Sequence, residues 1–252
     1  MRRSRRVRRY ASAVLTVLAV WTLLTSTGWV QPLLLPTPGS TGTALWQVLG
    51  GGALTWEPVA ATLSETGAAF ALASVVAVLL GIVTGSIPVL RRAYEPVLTG
   101  LSALPLVVLY PVLAATLGIG SGSKIALGTL YAFFPVVIAT MRATGSVDPR
   151  LTVAARAMGA GGVRQLYSVV LPDVLSPVLA ALRVGLGLAL VTGIAGEFIS
   201  GADGVGYELG MSSQMLDTPT LFAWILIACA LTALVNVVFS LCSILVRKGV
   251  HR

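Results

Sequence analysis

Charge is what this chain has least of. Only 10% of its 252 residues are Asp, Glu, Lys or Arg, against about 25% in a soluble domain. Hydrophobic residues make up 56% and mean hydropathy is +0.91, so a soluble fold is excluded and an integral membrane protein is indicated. There is one histidine, His251, at the extreme C-terminus, which rules out a His-based triad or a multi-His metal site. The two cysteines, Cys229 and Cys242, fall within one apolar run. Thirteen positions apart on a helix they would be roughly 20 Å from each other, too far for a disulfide. No phosphate cradle of the form G-x-x-x-x-G-K-[ST] is present. The nearest stretch, Gly118 to Lys124 (GIGSGSK), lacks the Gly-Lys-Ser/Thr ending, and Gly204 to Gly210 (GVGYELG) lacks the G-x-G-x-x-G spacing. Both read as loops, and the chain carries no ATP-hydrolysing engine of its own. Repeats of solenoid length are absent, as are the paired interrupted spans of an inverted-repeat carrier.

What the chain does have is long apolar runs edged by arginine. Six arginines, Arg2, Arg3, Arg5, Arg6, Arg8 and Arg9, make residues 1–10 a basic N-terminus. The run 11–30 follows; its length, with Trp21 and Trp29, favours a retained anchor over a cleaved signal peptide, whose apolar core would be about 7–15 residues. Residues 31–62, rich in Gly and Pro, read as a loop holding at most a short interfacial helix. Further spans are expected at 67–90 (closed by Arg91 and Arg92), 96–119, 125–141, 174–199 and 218–246. A polar, glycine-rich loop is expected at 201–217 and a basic tail at 248–252. The expected fold is therefore all-α, one transmembrane domain over 11–247 with six helices. With the N-terminus in the cytoplasm, fifteen of the seventeen Lys and Arg fall on that side; Lys124 lies outside and Arg183 within a span. The positive-inside rule thus puts both termini in the cytoplasm. The basic residues flank spans and are not interleaved with aromatics, which argues against nucleic acid as the partner of the +8 net charge.

One internal stretch resists the membrane. Asp148 to Pro172 carries Arg150, Arg156 and Arg164, which at the bilayer centre would together cost on the order of 8–10 kcal/mol. Asp148 is a good N-cap and Pro149 suits the first helical position. Leu151, Ala154, Ala155 and Met158 share a narrow helix face. Gly159 fits a left-handed C-cap, Gly161 and Gly162 complete a break, and Val163 to Val170 form a second short helix. The reading is a helix pair on the cytoplasmic side.

Inside the spans, Arg183 would lie roughly 16 Å into the fifth helix, near mid-bilayer. Either it faces a water-filled path and meets an anionic solute, or it snorkels and caps carbonyls. Glu197, roughly 21 Å further along, either lines the outer mouth of that path or is an interfacial carboxylate bonded to the following loop. Pro105, Pro111 and Pro135 interrupt spans and free carbonyls that need partners. Pro105 and Pro111, with the intervening Tyr110, are candidates for the same path, although Tyr110 and Tyr131 also read as packing or belt residues.

VAARAMGAGGVRQLYSVVLP resembles the EAA loop of membrane subunits of bacterial ATP-binding-cassette importers: Ala154, Ala155, Gly159, Val169, Leu171 and Pro172 fall in register, while Val153 stands where the family has glutamate. LPTPG, ALPLVVLYP, GSKIALGTLYAFFP, SVDPRL, ALRVGLGLAL and AGEFISGADGVGY resemble further motifs, in order, of the permeases for sulfonate, taurine, nitrate and pyrimidine precursors. The resemblance implies a type I importer permease in the bacterial inner membrane, usually a homodimer whose interface is the solute path. It implies two cytoplasmic ATPase subunits that bind the ATP and Mg, so that no cofactor belongs to this chain, and an external solute-binding protein. Val153, Ala154, Ala155, Arg156, Met158, Gly159, Ala160 and Gly161 would be the coupling surface that enters a cleft on the ATPase. Gly204, Gly206 and Tyr207 would lie in the loop on the outer side. Docking at Val153 would rest on shape and neighbouring arginines. A self-sufficient channel or ion-coupled carrier using Arg183 and Glu197 is the competing reading.

Overall fold

The computed structural model describes residues 2–28, 30–50 and 53–250; Trp29, Gly51, Gly52 and His251 lie outside them. The regular elements of the described residues are all helices, joined by short turns: α1 (Arg2–Ser26), α2 (Pro38–Gly50), α3 (Ala53–Ser86), α4 (Pro88–Ser102), α5 (Tyr110–Leu117), α6 (Ser121–Gly145), α7 (Pro149–Ala157), α8 (Gly162–Gln165), α9 (Leu171–Ser200), α10 (Val205–Gln214) and α11 (Thr218–Val250). A 3₁₀ turn, Leu106–Leu109, precedes α5, and a π-helical turn, Leu166–Val170, joins α8 to α9.

Four helical stretches are long and apolar enough to cross a membrane: Trp56–Ser86, Ser121–Gly145, Gly162–Ile199 and Thr218–Arg247. A fifth is the bent pair Pro88–Ser102 and Leu106–Leu117, whose two halves meet at 77°. The apolar part of α1, Leu15–Ser26, is shorter.

The centre is built from α3, α6 and α9, and small residues set their spacing. Ala69, Ala73, Ala132 and Ala189 form one buried cluster. A Cβ on Gly81 would lie 2.6 Å from Thr140 Cβ, and one on Gly185 would lie 2.8 Å from Val136 Cγ2. In lipid, where tails are as apolar as leucine, such close backbone approach is what holds helices together. The contacts also give direction. Glu65, Ala69 and Gly85 of α3 meet Lys124, Gly128 and Thr144 of α6 in that order, so the two helices are parallel. Gly185, Ala189 and Gly196 of α9 meet Ala132, Gly128 and Lys124, so α9 is antiparallel. Parallel neighbours need a return crossing, and α4–α5 supplies it. Glu95 pairs with Arg142 at one end (2.7 Å), the Val107 amide donates to Tyr131 Oη midway (3.0 Å), and Tyr110 reaches Gly196 at the other.

Boundaries move where proline acts. The expected second span ran to Leu90, but α3 stops at Ser86 because Ile87 precedes Pro88 and is held extended (φ −111°, ψ 107°). Arg91 and Arg92 therefore open α4 instead of closing α3. The expected span 96–119 is broken at Ala103–Pro105, where Pro105 removes a donor. Pro111 sits in the first turn of α5, where it costs no bond, while Pro135 lies inside an unbroken α6. Residues 53–62, expected in a loop, begin α3, and 205–214, also expected in a loop, form α10. Trp21 of α1 donates Nε1–H to the Pro36 carbonyl (2.9 Å) and its ring lies 6.0 Å from that of Phe222.

Candidate functional site

Two regions gather the chemistry, at opposite ends of the three-helix core. The first is α7–α8. The Asp148 side chain accepts the Arg150 amide (2.8 Å), starting α7 as the Asp-Pro pair leads one to expect. The helix ends in a Schellman turn: the Ala160 amide donates to Ala155 O and the Gly159 amide to Arg156 O (2.9 Å each), with Gly159 at φ +80°. The Gln165 side chain then holds the Ala160 carbonyl (2.7 Å), tying the turn to α8. Of the coupling candidates, Ala155 is buried, Ala160 is half-buried, and Val153, Ala154, Arg156, Met158, Gly159 and Gly161 are exposed. Of the face shared by Leu151, Ala154, Ala155 and Met158, only Ala155 is buried. Leu151, Ala154 and Met158 instead line an open groove of about 600 Å³ between α7 and the start of α9, leaving Met158 78% exposed. The second short helix starts at Gly162 and runs through the π turn straight into α9.

The second region is a buried charge cluster where α6 begins. Lys124, expected outside in a loop, is only 1% exposed in the first turn of α6. Its Nζ meets Glu65 Oε1 of α3 at 2.7 Å and Asp203 Oδ1 of the α9–α10 loop at 3.0 Å. Beside it Glu197, also 1% exposed, accepts the Thr62 hydroxyl (2.9 Å) and the Gly206 amide (2.8 Å) through Oε2, and the Thr62 hydroxyl in turn accepts the Val205 amide (2.9 Å). The first N–H groups of α10 are thus satisfied by residues from α3 and α9, since α10 has no side-chain cap of its own. That long-range capping explains why a helix forms in a stretch with no local start signal. Gly204 (φ +103°) permits it: any Cβ there would fall on the Glu197 carboxyl. Gly206 is similarly pressed against Ile194 O and Glu197, and Tyr207 follows, half-buried. Burial pushes the neighbouring Glu208 carboxyl up from its ordinary value.

The path candidates differ in burial. Tyr110 is buried with its ring against Gly196, one residue from Glu197, but Glu197 itself turns into the protein. Pro105 and Pro111 are exposed around the α4–α5 break, and Arg183 is exposed midway along α9. Glu65 went unnoticed in the sequence, although an acid at the edge of an apolar run was a usable signal.

Comparison with known proteins adds the following. Residues 77–250 match the family model described as binding-protein-dependent transport system inner membrane component. The chain is 29% identical to the taurine transport system permease protein TauC of Escherichia coli, over 88% of this chain and 82% of that one. It is 31% identical to the riboflavin transport system permease protein RibX of Chloroflexus aurantiacus, over 83% and 78% respectively. A chain in an inward-facing structure of the MetNI methionine ABC transporter superposes with a TM-score of 0.65 at 19% identity, over 80% of this chain and 99% of that one, a likeness of fold.

Proposed function

The chain belongs to the family of binding-protein-dependent transport system inner membrane components, and from that premise we propose that two copies of it form the solute path of an ATP-binding-cassette importer for a small organic anion. It is a multi-pass transporter permease. In the proposed assembly six spans, α1 included, cross the inner membrane with both termini in the cytoplasm. Two ATPase subunits holding ATP and Mg dock on α7, and an external binding protein delivers the solute to the side where α6 begins.

The observation that carries the reading is the α7–α8 unit, a capped, turn-locked helix whose outward face is left bare at the ends of the core spans. With Val153 at 62% exposure, that face offers shape and small side chains in place of a carboxylate. A rigid helix pair continuous with α9 would pass closure of the ATPases to the spans as a body movement.

Arg183 supports an anionic solute. It is exposed midway along α9, as are Val184 beside it and Val191 further along, and an arginine at that depth is costly against lipid but not against a water-filled interface. Taurine, named for one relative, carries a sulfonate. The self-sufficient carrier is not favoured, because Glu197 is buried and its Oε2 is occupied by Thr62 and Gly206.

Co-expression with a candidate ATPase subunit of an importer of this family tests this. The wild-type chain should co-purify with it and support ATP-dependent uptake, and Gly159→Trp should abolish uptake. An absent ATPase together with normal uptake by Gly159→Trp would sink the reading; solute flux in liposomes from this chain alone, lost in Glu197→Gln, would move the assignment to the carrier.

A further inference from the structure

A third feature belongs to neither region. Between the inner side of α7 and the core lies a cavity of about 370 Å³. Its walls include the last residues of α3 (Gly85 and Ser86), the last of α6 (Thr144 and Gly145) and Gly162, where three of the candidate spans, Trp56–Ser86, Ser121–Gly145 and Gly162–Ile199, all terminate. The cavity is therefore at the membrane–water boundary, the level of lipid headgroups.

Its chemistry is one-sided. Arg91 and Arg156 line it, and no Asp or Glu does. Arg91 spends one N–H on the Gly145 carbonyl (2.6 Å), which orients the guanidinium and leaves its other donors without a partner among the described residues. Arg156 has a single long bond, Nε to Gln165 Oε1 at 3.4 Å. Thr144, only 6% exposed, lines the same cavity. Two fork-shaped cations around a space without counter-charge match a phosphate group. Basic pockets between spans on the cytoplasmic side are where anionic headgroups bind.

We propose that this cavity is a binding site for a phosphate group, placed to receive the headgroup of an anionic phospholipid behind α7. A phosphate seated there bridges α7 (Arg156) to α4 (Arg91) and steadies the helix pair from its membrane side. The inference uses only the membrane reading of the spans; it needs neither the ATPase nor the solute, so its failure leaves the importer assignment standing.

The test uses the full chain in bilayer discs of phosphatidylglycerol and phosphatidylcholine in equal parts. Retained phosphatidylglycerol per chain is counted by native mass spectrometry, with inorganic phosphate as competitor. Each arginine near a charged headgroup contributes enough that Arg156→Gln should weaken retention about fivefold. Arg91→Gln with Arg156→Gln should weaken it about thirtyfold. Arg150→Gln, on the same helix but outside the cavity, should leave it unchanged. Because Arg91 also holds Gly145, the single Arg156→Gln variant carries the result if the double one does not fold. Binding of inorganic phosphate in pure phosphatidylcholine discs, sensitive to Arg156→Gln, supports the same site with a soluble occupant. Equal loss in Arg150→Gln and Arg156→Gln, or no loss in either, overturns the proposal.

Discussion

Lys124 shows what one residue costs and returns in this interior. A buried ammonium has to be matched, and Glu65 does so at 2.7 Å with both side chains at 5% exposure or less. Asp203 is different: at 61% exposure it reaches in from solvent, and such a partner contributes about 0–1 kcal/mol. Lys124→Met should therefore destabilise by about 3–5 kcal/mol, because it strands the Glu65 carboxylate. Lys124→Met combined with Glu65→Leu should recover most of that loss, and Asp203→Asn should cost less than about 1 kcal/mol. Thermal unfolding of the purified variants in detergent checks the order; a double variant no better than the single one would show that Glu65 is not the stranded group. At Gly204 the demand is steric. With φ +103° and the Glu197 carboxyl in the place of a Cβ, Gly204→Ala should loosen the start of α10, read as faster amide exchange at Val205 and Gly206.

At the scale of elements, α3 and α6 lie against each other along their length because glycine and alanine line the seam. At its far end Gly85 faces Met141 O, only 2.5 Å from where a Cβ would sit. That neighbour is backbone and cannot rotate away. Gly85→Val should force the helices apart and cost about 1–3 kcal/mol as an overpacking change, whereas Gly100→Ala in α4, where a Cβ meets nothing within 4 Å, should be close to neutral. Melting temperatures of the two variants separate the cases, and equal values would mean that the seam is not closely packed. The α7 helix is an element of another kind. Its cap, its proline and its closing glycine were all readable because each acts within five residues. The groove that Leu151 and Met158 line was not readable, since it depends on where α9 begins.

For the whole molecule, direction is what matters. Parallel α3 and α6 with antiparallel α9 make the bent α4–α5 pair a return crossing, and α11 then carries the chain back toward the α7 end of the bundle. If α1 also crosses, both termini share the side of α7. A fluorescent protein fused to either terminus should then be bright in cells, and alkaline phosphatase fused after Met215 should be active. An active phosphatase at the C-terminus would refute that arrangement. The +8 charge, mostly at span ends on one side, makes the same demand independently.

The sequence by itself determined the membrane class, the three apolar stretches that form α6, α9 and α11 to within about four residues, the α7 turn and the family resemblance. These are properties of composition and of contacts between near neighbours, where apolar length and glycine torsion leave little choice. Only the tertiary structure decided that Lys124 and Glu197 are interior, that α10 is a helix and that α4–α5 bends by 77°. Glu65 and Lys124 are far apart in the chain, and α10 is capped by Thr62 and Glu197 from two other helices. Interactions of that range exist only once the helices are packed, and in a membrane interior a charge has no favourable position until its partner is beside it.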